Sequence, residues 1–168
     1  MRAALTAAAI LWFAAILIAP FAISSRNRAT ATGAACAYVV GSFVCHQRPE
    51  RSFFLAGRQM PVCARCAGLY AAAAVASAFS AFAFGFGFGA TSAPFGATAS
   101  MSASRNRWIA FVAALPTIVT WLIEHLGFVH LSNPTRFVAA LPLGAAVMWL
   151  LLGVLETPRV KHGLHKVE

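Results

Sequence analysis

Charge is what this chain has least of. Only 10% of its 168 residues are charged and 60% are hydrophobic, whereas soluble domains are about a quarter charged. Acidic side chains are the scarcest: there is no aspartate, and four glutamates stand against 13 lysines and arginines. That composition excludes an ordinary soluble domain, and a mean hydropathy of +0.75 points the same way. The length suits one compact bundle and leaves no room for a separate soluble domain. Cysteine is sparse too, with four residues at uneven spacing, which excludes a small disulfide-stapled scaffold.

Long apolar windows are abundant. A spanning helix needs about 20 apolar residues, because the hydrocarbon layer is about 30 Å thick and each residue rises about 1.5 Å. Residues 3–23, 63–84, 108–126 and 137–155 meet that requirement. The expected fold is therefore all-α: one integral membrane domain over residues 1–168, a bundle of about four transmembrane helices. Ala3 to Ile23, followed by Ala22-Ile23-Ser24 as a small-x-small site, has features of a secretory signal. Its apolar stretch exceeds the usual core of about 7–15 residues, so an uncleaved first span is expected. Thr30 to Cys45 is uncharged but short, which fits a half-span or a helix packed on the bundle. The third span is expected to kink or break at Pro116. Residues 85–105, rich in Gly, Ser, Ala and Phe, read as a flexible loop rather than a strand, since an isolated strand cannot satisfy its backbone in lipid. Residues 157–168 read as a loose polar tail.

The formal net charge is +9. In a soluble protein that excess suggests nucleic acid. Here the basic residues flank apolar windows, where they contact headgroups and set orientation, so the expected partner is the lipid bilayer and not nucleic acid. Arg2, Arg105, Arg107, Arg159, Lys161 and Lys166 fall on one side of a four-span chain. With the arginines of the polar segments set aside, Arg26 and Arg28 remain on the other. The balance favours N-in and C-in, in a prokaryotic inner membrane.

Polar chemistry is concentrated in "CHQRPERSFFLAGRQMPVCARC", Cys45 to Cys66, which that orientation places outside. Arg48-Pro49-Glu50 reads as a helix start and Gly57 as its stop. The result is a short interfacial helix with Phe53, Phe54 and Leu55 on its apolar side and Arg51 and Arg58 reaching headgroups. Cys63-Ala64-Arg65-Cys66 is a CxxC at the next helix start, its two thiols on one face. First-turn N–H groups, with Arg58 and Arg65, favour the thiolate there. Together Cys45, His46, Cys63 and Cys66 make a Cys₃His set of the kind that holds structural zinc, provided a turn lets the adjacent Cys45 and His46 converge. Three readings stay open: a site for zinc or another thiophilic metal, a redox-active CxxC with Cys45 as third thiol, or buried spacer cysteines or a plain disulfide. Cys36 stands apart and reads as a small buried apolar residue.

A second cluster lies in "TWLIEHLGFVHLSNPTR", with Glu124, His125, His130 and Arg136. An unpaired ionisable group in a span is costly, so Glu124 joins Cys63 and Cys66 as a catalytic candidate. Asn133 is the expected N-cap of the fourth helix and Pro134 its first residue. Arg136 in that first turn opposes the helix dipole and calls for an acid, either Glu124 or a bound anion. Arg51, Arg65 and Arg136 form a candidate anion-binding set; binding of lipid phosphates is the plainer account of the arginines. The two functional readings are thus a Cys/His metal or thiol-redox centre, and a membrane enzyme or small transporter handling an anionic substrate through an Arg/Glu pocket. Short connections put both clusters on one side of the membrane.

The segment "CHQRPERSFFLAGRQMPVCARCAGLY", with Tyr38 upstream, resembles a bacterial and archaeal family of small membrane proteins catalogued as a domain of unknown function, number twenty eighty-five. Cys45, His46, Pro49, Arg51, Ser52, Gly57, Cys63, Arg65, Cys66 and Gly68 fall on its pattern. So do Leu115-Pro116, Gly127 and Ser132 to Arg136, so the likeness runs from about Tyr38 to Gly144. Many relatives carry an Asp-Gly pair where this chain has Thr120-Trp121, and a glutamine in place of Glu124. The resemblance implies membrane topology and the location of a site, but no reaction.

Overall fold

The structure, a computed structural model, describes residues 1–85 and 103–155. Within them, helices α1 (Arg2–Ala22), α3 (Ala64–Gly85), α4 (Ala103–His125) and α5 (Asn133–Val154) are long and apolar enough to cross a membrane. A further helix, α2 (Arg28–Val44), has 17 residues and packs on α1. The expected polar tail lies outside the described residues, as does most of the expected loop at 85–105; the ends of that loop, Gly85 and Ala103 to Arg105, are helical.

Small residues bring the helices together. Along α3 and α5, a Cβ on Gly68 would meet the Phe137 carbonyl oxygen at 2.3 Å, and one on Gly144 would meet that of Leu69 at 2.3 Å. Between apolar helices in lipid, such close backbone approach supplies the packing that the hydrophobic effect does not. Ala19 of α1 is buried with Ala34 and Ala37 of α2. Helix α4 runs unbroken through Pro116 and is tied to α5 where the Thr117 hydroxyl donates to the Ala139 carbonyl at 2.8 Å.

The connection between α2 and α3 departs from expectation. Instead of an interfacial helix, Pro49–Arg51 forms a single 3-10 turn, followed by a hairpin of β1 (Phe54–Leu55) and β2 (Arg58–Gln59). Ser52 is extended (φ −117°, ψ 150°), and the Phe53 carbonyl accepts from the Met60 N–H at 2.8 Å, so it cannot continue a helix. Ala56 and Gly57 both have positive φ, 50° and 74°, the pairing that lets a two-residue loop match strand twist. Gly57 turns the hairpin; it does not stop a helix. The apolar floor beneath the hairpin is Ile16, Met60, Val62 and Ala67, edged by Trp12, Tyr70 and Phe137.

Candidate metal centre

Three sulfurs converge where α2 ends and α3 begins. Cys45 caps the C-terminus of α2 in extended conformation. Cys63 precedes α3, its carbonyl accepting from the Ala67 N–H at 2.9 Å, and Cys66 follows one turn later. Gly41 lets α2 lie against the Pro61 carbonyl, where a Cβ would sit 2.3 Å from the oxygen, and so delivers Cys45 to the CxxC. The Sγ atoms of Cys45, Cys63 and Cys66 lie within 4.8 Å of one another, and all three thiols are free. Thiolates about 2.3 Å from a tetrahedral ion stand about 3.8 Å apart, so only a small adjustment separates this set from a coordinating one.

One sulfur of the cluster, that of Cys45, already favours the thiolate. Hydrogen bonds from the Cys63 and Cys66 thiols hold Cys45 well below the ordinary thiol range, against its burial, and the Gln47 and Cys63 amides add to them. The Cys63 N–H lies 3.1 Å from the Cys45 sulfur. Cys63 moves the other way, its thiol pushed up by its bond to Cys45. Backbone amides aimed at a sulfur stabilise its charged form, the form that binds metal.

His46 is exposed and is not among the groups whose ligand atoms share that spacing, although it lines the same cleft. Cys36 stands apart as expected, yet it is exposed rather than buried.

The second cluster is drawn together by Glu124, whose side chain is 5% exposed. One carboxylate oxygen accepts from Arg136 Nε at 2.7 Å and faces Nη2 at 2.5 Å, while the other accepts from Arg65. The acid that Arg136 requires is therefore Glu124, shared with Arg65. Arg51 is half-buried and has no part in this triad. His125 is exposed and stacks on Trp121, with ring centroids 5.0 Å apart, and His130 is exposed.

A polar lattice that sequence reasoning missed holds the two clusters in register. Gln47, at φ 47°, donates to the carbonyls of Tyr38 and Pro61 at 2.8 and 2.7 Å. Gln59 donates to the carbonyl of Gln47, and the Tyr38 hydroxyl donates to the carbonyl of Gln59 at 2.6 Å. Asn133 is not the cap of α5. That role belongs to Ser132, which frees the Asn133 side chain to donate to the Ser52 carbonyl at 2.9 Å and accept from Arg136 at 2.6 Å. The available signal was polarity: Gln47, Gln59 and Asn133 are uncharged polar residues inside otherwise apolar or basic segments.

Above the sulfurs opens a cleft of about 440 Å³, lined by the three cysteines, His46, His125, Trp121 and four arginines, 48, 51, 65 and 136, with no carboxylate from the described residues on its wall. Residues 45–150 match the model of a family described as a predicted membrane protein, DUF2085. The chain belongs to this family. The DUF2085 match begins at Cys45 and ends in α5, so it takes in both polar clusters. An uncharacterized protein of Methanocaldococcus jannaschii is 30% identical over 71% of this chain and 68% of its own length. An uncharacterized protein of Methanothermobacter thermautotrophicus is 30% identical over 61% of this chain and 78% of its own length. No solved structure matches the chain. The protein is thus a predicted membrane protein with several apolar helices and a three-cysteine cluster.

Proposed function

We propose that this DUF2085 protein holds a thiophilic metal ion, zinc or copper(I) in class, through Cys45, Cys63 and Cys66 at the surface of a prokaryotic inner membrane. The carrying observation is the approach of three free sulfurs to within 4.8 Å from two separate elements. A redox CxxC needs two thiols, whereas here a third is delivered by its own glycine contact and its own amide hydrogen bonds. Soft thiolates select zinc or copper(I) over hard cations. In this reading Glu124 is a structural counter-ion that fixes Arg65 beside Cys66, and the membrane orientation is N-in with the centre outside, following the arginines at the start of α1 and α4.

The test is metal analysis of the full chain purified in detergent, beside Cys63→Ser. Stoichiometric zinc or copper in the parent protein, lost in the variant, supports the centre. A metal-free protein whose thiols instead cycle through a disulfide with reductant overturns it in favour of redox chemistry. Orientation is read by labelling Cys63 from outside intact cells in a Cys36→Ser background, since exposed Cys36 would otherwise take the reagent.

A further inference from the structure

Three cysteines make three ligands, and all three line the cleft. That cleft carries an unbalanced charge. Arg65 and Arg136, with side chains 13% and 7% exposed, share a single carboxylate, which leaves one buried positive charge in excess. Arg51 adds a guanidinium with no acidic partner among the described residues, and Arg65, which also lines the cleft, has a buried Nε–H without an acceptor among them. Buried donors in proteins are nearly always satisfied, and a buried charge requires a counter-charge. A thiolate-bound divalent ion would account for one negative charge and still leave Arg51 and the Arg65 donor unmet.

We propose that this cleft binds an oxyanion of the phosphate class against Arg51 and Arg65, next to the open coordination position of the tri-cysteine centre. Guanidinium groups recognise phosphate oxygens in paired, charge-assisted hydrogen bonds, which a lone lysine ammonium cannot reproduce. The exposed ring of His125, stacked on Trp121, lines the same cleft. Glu124 does not line the cleft, and its single negative charge is outweighed by the two guanidiniums that it binds, Arg65 and Arg136. Phosphate chemistry at a helix-end surface has two sources, a free phosphate and the headgroup of an anionic lipid. The metal reading supplies the coordination position, while the anion site itself stands on the arginines.

The experiment is calorimetric titration of inorganic phosphate into the full chain in a phosphate-free maltoside detergent, for the parent and for Arg51→Gln. Saturable binding, weakened about tenfold or more in Arg51→Gln with thermal unfolding unchanged, is the expected result. Absence of binding to the parent, in detergent and in phosphatidylglycerol nanodiscs alike, overturns the proposal, as does an unaltered affinity in Arg51→Gln. Phosphatidylglycerol that blocks inorganic phosphate where phosphatidylcholine does not identifies the headgroup as occupant, and equal binding in both identifies a free anion. Cobalt(II) loading separates the two readings. Thiolate-to-cobalt absorption with accelerated relaxation of the phosphate phosphorus supports both and places the anion beside the metal. Phosphate binding without any cobalt band sinks the metal centre alone. Cobalt bands that change in His46→Ala and are indifferent to phosphate mean that histidine closes the site, which overturns the placement of the anion beside an open coordination position, while the arginine site itself stands or falls on the Arg51→Gln titration.

Discussion

Asn133 reaches from the first turn of α5 to the carbonyl of Ser52, 2.9 Å away and 81 positions earlier in the chain. With its other amide atom it accepts from Arg136. One side chain therefore ties the loop after Cys45 to the helix that presents Arg136, and Ser52, 1% exposed, closes the loop by donating to the Arg48 carbonyl at 2.8 Å. Asn133→Ala removes both bonds and leaves the Ser52 carbonyl without this donor. A loss of about 1–3 kcal/mol is expected, read as a lower thermal midpoint in detergent, and the unchanged Cys45 and Cys63 positions predict that metal content survives at low temperature.

Glu124 answers two guanidiniums at once, so its removal is expected to be among the most damaging single changes in the protein. Glu124→Gln keeps the shape and abolishes the charge, leaving Arg65 and Arg136 in a low-dielectric site without a counter-ion, at a cost of about 3–5 kcal/mol. The family resemblance implies, for many relatives, a glutamine there and an aspartate in place of Thr120. Thr120 lies one turn before Glu124, and its hydroxyl bonds merely to its own helix at Pro116. Thr120→Asp in the Glu124→Gln background is therefore expected to restore most of the lost stability by moving the carboxylate one turn along α4. Failure of that rescue, measured by thermal unfolding, would show that the charge cannot be exchanged between the two positions.

The four spans were legible because lipid demands long uninterrupted apolar runs, and composition alone reveals these. Cys45, Cys63 and Cys66 were legible as a set because metal-type spacing survives in sequence. The hairpin was not: Pro49 and Glu50 are good helix-start residues, and the bond that ends the turn, from Met60 to Phe53, is set by tertiary packing of Met60 and Val62 on Ile16. The cap of α5 was misplaced by one residue, Asn133 for Ser132, since either can cap a helix and only the pull of Ser52 and Arg136 decides between them. His46 follows Cys45 in sequence but not in space, because adjacent side chains diverge unless a turn redirects them.

Gly68 and Gly144 form a reciprocal pair, each meeting a carbonyl of the opposite helix. Neither has room for a methyl group, so Gly68→Ala and Gly144→Ala must each push α3 and α5 apart. Forced overpacking costs about 1–3 kcal/mol, and the displacement at Gly68 lies two positions from Cys66. Gly68→Ala is expected to reduce both the thermal midpoint and the metal content, and so is Gly144→Ala, whose methyl would strike Leu69, three positions from Cys66. Equal loss of metal in both would place the metal site under control of the whole helix pair.

Cys45 and Cys63 are displaced in opposite directions, and the sign of each fixes what titration should show. Cys45 is lowered, so in the reduced, metal-free protein it is a thiolate at neutral pH and stays so into acid. Cys63 is raised, so it keeps its proton at neutral pH and loses it only above the ordinary thiol range. At neutral pH, thiolate ultraviolet absorbance in a Cys36→Ser background should therefore show Cys45 ionised and Cys63 not, and Cys45→Ser should lower that absorbance. A lowered folded value means that the unfolded chain binds more protons through the intervening range, so the contribution of Cys45 is full above the unfolded thiol pKa and vanishes as pH falls through its folded one. Stability of the metal-free protein should thus gain from Cys45 as pH rises from acid toward neutral, a gain absent in Cys45→Ser. An absorbance that appears only in the ordinary thiol range, identical in parent and variant, would mean that the Cys63 and Cys66 thiols, with the amides of Gln47 and Cys63, do not hold the sulfur as a thiolate.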